Sequence, residues 1–197
     1  MKKFIIYLIK LLFLFFLLIV FWKQVKQERK FSEFEKKYSL FIDKQIQNDE
    51  FIVKRIEYVN KYVKDKIIAY RILKAVSNYS KIFNIDADLV LSLIEHESRF
   101  DTSAVSYKGA IGLMQILPET GEVVARLLNK VDYNLFGLED NIEIGVCFLA
   151  LLLKYNTLEN ALRKYYAGGL WRINLADKYQ KEVLNKYVSL KNSILVE

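Results

Sequence analysis

An all-α fold is predicted for this 197-residue chain by three observations. Every glycine lies at or beyond position 109 and the one proline is Pro118, so the first half contains no strong helix breaker. Apolar residues recur at three- and four-residue spacing in stretch after stretch. No segment alternates with period two between turn signals, and the short Ile-rich runs leave room for a small hairpin at most. With 53% hydrophobic and 27% charged residues the chain can bury a core and is unlike a disordered polymer.

The first element is the run Phe4 to Trp22, whose one charge is Lys10. As a helix it would span about 28 Å, close to the apolar thickness of a bilayer. It ends Ile19-Val20-Phe21-Trp22 before Lys23, without the small residues of a cleavage site, and no cysteine follows it for lipid attachment. An uncleaved signal anchor over residues 1–22 is therefore expected in preference to a cleaved signal. Lys2 and Lys3 on one flank compete with Lys23, Lys26, Arg29 and Lys30 on the other, so charge counting alone does not orient it.

Residues 23–66 are expected to form a helical juxtamembrane stalk. From 31 to 66 there is no Gly or Pro, and Phe31, Phe34, Tyr38 and Phe41 trace a narrow helical stripe. The stripe suits a self-associating coiled coil and equally an amphipathic helix lying on the domain or the membrane surface. The same register continues into Gln45, Asn48 and Arg55, which limits the heptad reading.

Residues 67–197 are expected to be the globular domain. Helical periodicity recurs in Ile68 to Phe83, Leu89 to Phe100, Val123 to Leu128, Ile142 to Leu153, Leu158 to Tyr166 and Val183 to Leu190.

The net charge of +7 resides wholly in the first 66 residues, while residues 67–197 are balanced at fifteen basic and fifteen acidic groups. The domain has no positive field with which to gather phosphates, and nucleic-acid binding is not expected. The single Cys147 excludes an intramolecular disulfide and a Cys-based zinc cluster, and the single His96 excludes a multi-histidine metal site. Neither a metal nor another cofactor is expected.

The chemistry begins at Asp86 to Ser103. Asp86 or Asp88 can cap a helix, and Val90, Leu93, Glu97 and Phe100 step by three, four and three, which sets Glu97 on the apolar face. A carboxylate turned toward a core loses hydration and its pKa rises, as a general acid near neutral pH requires. The competing reading is a solvated or ion-paired residue at a frayed helix end. Glu95 lies about 200° away around the helix and cannot share the site. A helical zinc-protease pattern fails because its second histidine would fall at Phe100, and His96 with Glu97 and Ser98 makes no triad because consecutive helical residues diverge. His96 is expected to be a half-exposed helix residue.

Next comes Gly109-Ala110-Ile111-Gly112-Leu113-Met114-Gln115, then Ile116-Leu117-Pro118-Glu119-Thr120. Two glycines three apart permit tight turns and close backbone approach, and Pro118 suits the first turn of a helix. The third glycine and preceding strand of a dinucleotide loop are missing. Met114, taken alone, reads as ordinary core.

These residues together resemble the soluble lytic transglycosylase catalytic domain, which shares its fold with goose-type lysozyme. The resemblance rests on Glu97-Ser98-Arg99-Phe100, Ala104-Val105-Ser106, Gly109-Ala110, Gly112-Leu113-Met114-Gln115 and Pro118-Glu119-Thr120. It continues through Asn141-Ile142 with Gly145, Tyr165-Tyr166-Ala167-Gly168 and Tyr179, and covers about residues 67 to 190 in the family's order.

The resemblance implies a lysozyme-like helical domain that cleaves peptidoglycan glycan strands between N-acetylmuramic acid and N-acetylglucosamine and leaves 1,6-anhydro ends. It marks Glu97 as the one catalytic carboxylate, acid in the first half-reaction and base in the second. A hydrolase would ordinarily need a second flanking carboxylate, whereas the muramic C6 hydroxyl is a nucleophile already tethered to the reacting carbon. Asp101, Glu119, Asp132 and Glu143 are the other acids a hydrolytic reading could invoke.

By the same resemblance Ser98 sits beside the catalytic glutamate, Met114 and Gln115 line the sugar groove, and Tyr165 places its hydroxyl near the catalytic carboxyl. Tyr179 is a further cleft tyrosine. Where the family has Tyr-Asn-Ala-Gly, Tyr166 offers a phenol in place of a substrate-contacting amide, and the chain runs on to Gly169-Leu170-Trp171 without the usual proline. The expected setting is the cytoplasmic membrane, crossed once by residues 4–22, with the catalytic domain in the periplasm or cell-wall space and envelope machinery as a source of partners. A goose-type muramidase and a non-catalytic glycan-binding envelope subunit are the alternative functions.

Overall fold

The computed structural model describes residues 2–167 and 173–195; for residues 2–15, 167, 173–174 and 195 the helical course alone is described. The described residues form eight helices: α1 (Lys2–Gln47), α2 (Glu50–Asn60), α3 (Lys66–Phe83), α4 (Ala87–Ser98), α5 (Pro118–Leu127), α6 (Leu138–Leu153), α7 (Leu158–Ala167) and α8 (Ile173–Leu195). No strand is present among them. The small hairpin that the sequence allowed reduces to two isolated antiparallel bridges, Val105 with Ile111 and Ile111 with Ile116.

The chain divides into two compact units, residues 1–45 and 46–197. The first is helix α1. Along it Phe31, Phe34, Tyr38 and Phe41 are exposed, and Tyr38 stacks between Phe34 and Phe41 with ring centroids 6.0 and 6.4 Å apart. The anchor expected over residues 1–22 falls on this helix, but most of its side chains lie outside the described residues. Among the described residues no helix is long and apolar enough to cross a membrane.

The stalk expected as one helix to residue 66 is broken twice. Asp49 caps α2 by accepting from the Ile52 N–H at 3.4 Å, and Asp65 caps α3 by accepting from Ile67 and Ile68 at 2.8 and 3.2 Å. An aspartate in the extended cap conformation can start a new helix without Gly or Pro. The second unit consequently begins at Ile46 and not at 67. Helix α2 buries Ile52 and Val59 and packs on α3.

Within the second unit α3 packs on α4 and α6, α4 on α8, α7 on α8 and α6, and α5 on α6. Helix α4 is the most enclosed: every residue from Asp88 to Glu95 is buried. Its apolar stripe therefore did not select one inward face. Glu97 sits near the core because the whole helix does.

Candidate active site

Helix α4 stops abruptly after Glu97 and Ser98. Arg99 and Phe100 both take left-handed backbone, with φ 53° and 64°, and the Arg99 N–H donates to the Glu95 carbonyl at 3.1 Å. Two successive left-handed non-glycine residues are strained and persist only where the surroundings hold them. The aromatic side chain of Phe100, expected to continue the helical stripe, is instead buried beyond the helix end against Tyr58 and Tyr62, at ring distances of 6.0 and 5.5 Å.

The segment after α4 folds back as a compact loop. Gly112 donates to the Ala104 carbonyl at 2.8 Å, and Ile111 and Ile116 exchange backbone bonds of 3.0 Å. Asn141, buried on α6, clasps this loop at two points, accepting from the Met114 N–H at 2.8 Å and donating to the Ile111 carbonyl at 2.9 Å, and ties it to the α5–α6 connection by donating to the Leu135 carbonyl at 2.8 Å. Gly112, at φ 75°, is required here, because a Cβ would lie 2.8 Å from Asn141 Cγ and the Leu135 carbonyl. Ser98 ties the loop to α4, its hydroxyl lying 2.9 Å from the Leu113 carbonyl and 3.2 Å from that of Ile94.

Against this frame Glu97 is half-buried. Tyr179 of α8 donates its hydroxyl to Glu97 Oε1. Loss of hydration pushes the Glu97 carboxyl up to about 7, and the Tyr179 hydrogen bond partly opposes the rise by stabilising the charged form. Burial and the Glu97 charge hold the Tyr179 and Tyr165 phenols well above their ordinary range, so both remain donors. Tyr179 is itself packed on two sides: the His96 ring meets it edge-on at 4.8 Å and the Tyr166 ring lies against it at 4.9 Å. His96 is half-buried, 3.8 Å from Glu182, and desolvation lowers its pKa, so it enters this contact as a neutral ring.

The structure brings Glu97, Tyr165, Tyr166 and Tyr179 together, with Ser98 next to Glu97 in sequence, and gives Met114 and Gln115 contacts of their own. Met114, expected to line the sugar groove, has a wholly buried side chain; a Cβ on Gly145 would come within 2.8 Å of Met114 Cβ, so the helix glycine makes room for it. Gln115 is half-exposed with left-handed backbone, and its amide NH₂ donates to the Gly112 and Ala104 carbonyls at 2.9 and 3.2 Å, bracing the loop. The Tyr165 hydroxyl lies close enough to Glu97 to feel its charge and donates to the Met114 carbonyl at 2.9 Å, while the hydroxyl bonded to Glu97 is that of Tyr179. The segment Gly168-Gly169-Leu170-Trp171 lies outside the described residues.

Among the described residues no other carboxylate acts on the ionisation of Glu97. Asp101 is exposed and accepts from Ser103, and Glu143 pairs with Lys130, so neither serves as a partner. Glu95 faces away, accepting from Tyr58, Tyr62 and Lys186. Among the described residues no group of His, Cys, Asp and Glu could hold a metal ion. The roles of His96 and Asn141 escaped the sequence reading. Asn141 carried a signal, its place in the Asn141-Ile142 motif just before the mostly apolar run to Leu149, whereas nothing local to His96 announces a tyrosine 83 positions away.

What remains is one enclosed carboxyl that can hold a proton near neutral pH, and whose anion has a fixed donor waiting. A family model described as the transglycosylase SLT domain matches residues 74–188. The chain is similar to the membrane-bound lytic murein transglycosylase C of Glaesserella parasuis, 40% identical over 93 residues that make up 44% of this chain and 25% of that one. Over 144 residues it is 30% identical to the protein of the same description from Yersinia pestis, covering 64% of this chain and 38% of that one. The chain thus spans about a quarter of the length of the first relatives it matches. Among solved structures, the 70 kDa soluble lytic transglycosylase of Escherichia coli aligns with a TM-score of 0.58 at 18% identity, over 75% of this chain and 31% of that one. An inactive mutant of lytic transglycosylase Slt from Pseudomonas aeruginosa gives a TM-score of 0.55 at 20% identity, over 61% and 24%. At those identities the two structures share the fold with this chain.

Proposed function

This chain belongs to the transglycosylase SLT domain family, and from that premise we propose that it is a peptidoglycan lytic transglycosylase that cuts the β-1,4 bond between N-acetylmuramic acid and N-acetylglucosamine. The observation that carries the reading is Glu97, a single carboxyl held at about 7 by desolvation, with Tyr179 donating to it and no second carboxylate acting on it among the described residues.

The Glu97 carboxyl gives its proton to the glycosidic oxygen as the C1–O bond breaks. Tyr179 steadies the carboxylate so formed. That carboxylate then removes the proton of the muramic C6 hydroxyl while O6 bonds to C1, which closes the 1,6-anhydro ring, consumes no water and returns Glu97 to its acid form. A pKa near the working pH suits a group that must both lose and regain a proton. Tyr166, Gln115 and Ser98 are the proposed contacts to the sugars, with the Tyr166 phenol and ring face in the place of an amide.

Residues 4–22 are proposed as a single-pass anchor in the cytoplasmic membrane. Support comes from their apolar sequence and from the membrane-bound description of the relatives. The catalytic unit would then work in the periplasm or cell-wall space, with envelope machinery supplying protein partners.

The test is mass analysis of purified sacculi digested by the full chain and by Glu97→Gln. Soluble fragments with anhydro ends from the wild type and none from the variant are expected. Fragments one water heavier would assign a goose-type muramidase, binding without release a non-catalytic subunit, and continued cleavage by the variant would remove Glu97 from the role of acid.

A further inference from the structure

Helix α2 lies outside the segment the family model matches, 74–188, yet it grips the helix that carries Glu97. Near the start of α4, Arg55 donates to both carboxylate oxygens of Asp88 at 2.5 and 3.0 Å. At its end, Tyr58 and Tyr62 both donate to the buried Glu95, Tyr62 at 2.8 Å. The same two rings enclose Phe100, edge-on at 6.0 Å and tilted at 5.5 Å, and leave it 3% exposed.

Glu95 and Phe100 bracket Glu97, and the turn between them is the strained part of the helix end. Left-handed backbone at Arg99 and Phe100 costs about 1 to 3 kcal/mol per residue. Burying an aromatic side chain returns an amount of the same order. Without the two rings the turn keeps its backbone bonds from Arg99 to Glu95 and from Asp101 to Ser98 but loses the packing that buries Phe100, and the last turn of α4 is free to fray. Fraying of that last turn would release Glu97 from the direction the helix gives its side chain.

We propose that Tyr58 and Tyr62 are positioning residues for Glu97: through Glu95 and Phe100 they fix the left-handed turn that ends α4 and so hold the Glu97 carboxyl against Tyr179. Their contacts are with Glu95 and Phe100, and they act through the backbone between those two residues. The proposal rests on the reading of Glu97 as the acid.

The experiment compares the full chain with Tyr58→Leu/Tyr62→Leu and with the near-isosteric Tyr58→Phe/Tyr62→Phe, which keeps both rings on Phe100. Two readouts are taken: the titration midpoint of the Glu97 carboxyl by carbon NMR on glutamate-labelled protein, assigned with Glu97→Gln, and kcat and KM on glycan strands. Neither pair alters Tyr179, His96, Tyr165 or Tyr166 around that carboxyl. In the Leu pair the midpoint is expected to fall by about one unit or more as the carboxyl reaches water. Its kcat is expected to fall at least about tenfold with KM nearly unchanged. The Phe pair should recover part of both losses. A lower melting temperature with midpoint and kcat unchanged would assign α2 a purely structural part and overturn the proposal; should the Leu pair not fold, the Phe pair decides by the same criterion. A wild type that releases no fragments would reject the proposed activity, while the midpoint would still judge the positioning.

Discussion

Replacing Glu97 by Gln is expected to abolish cleavage and, above neutral pH, to make the protein more stable. The carboxyl titrates at about 7 in the fold against 4.5 for its unperturbed value, so between those two pH values the native state holds a proton that the unfolded chain has released. Stability of the wild type therefore falls as pH rises through that window and levels off above about 7. The interval corresponds to up to about 3 kcal/mol at 1.36 kcal/mol per unit. Gln cannot ionise, and its amide oxygen still accepts from Tyr179, so the variant is spared this loss. Other titrating groups, such as Glu95 and Asp86, are common to both proteins and cancel in the difference. The assay is thermal melting of both across pH 4 to 9. The curves should nearly coincide near pH 4 and separate by roughly 6 to 12 °C at pH 8, the variant melting higher. If the two melt in parallel over the whole range, the carboxyl ionises as an ordinary surface glutamate and the acid–base account fails with it.

Tyr179→Phe removes the donor that stabilises the Glu97 carboxylate, so the carboxyl should titrate above its present value of about 7. The alkaline limb of the kcat–pH profile is expected to move up by about one unit, the measure of one hydrogen bond to a charged acceptor. A limb that stays or moves down would show that this bond does not favour the anion. Asn141→Ala leaves the Met114 N–H and the carbonyls of Ile111 and Leu135 without their partner, and should lower unfolding stability by about 3 kcal/mol in denaturant titration. A loss under about 0.5 kcal/mol would mean that the loop is held by something other than this clasp.

The helical class and six of the helix positions were legible because a 3.6-residue apolar period is a local property of the chain. Boundaries were less so. Reading residues 31–66 as one stalk overlooks Asp49 and Asp65, whose cap hydrogen bonds divide it, and with them the place of α2 in the second compact unit. The resemblance sets Met114 and Gln115 along the groove; the Met114 side chain fills a space opened by Gly145, and the half-exposed Gln115 also braces its own loop. Which side of a loop faces a cleft depends on contacts 30 residues away, such as that of Asn141 with Ile111, and no local pattern records them.

The sequence by itself determined that the protein is helical, that one acidic residue near the end of an apolar helix is the place to look for chemistry, and that one Cys and one His allow no intramolecular disulfide, Cys-based zinc cluster or multi-histidine site. Only the tertiary structure decided which tyrosine meets that acid, which ones support it from behind, and how far its proton affinity rises. Composition and spacing act along the chain, whereas desolvation and hydrogen bonding depend on which distant segments exclude water from a given atom. Tyr58, Tyr62 and Tyr179 come from opposite ends of the unit and meet around α4 only when it folds.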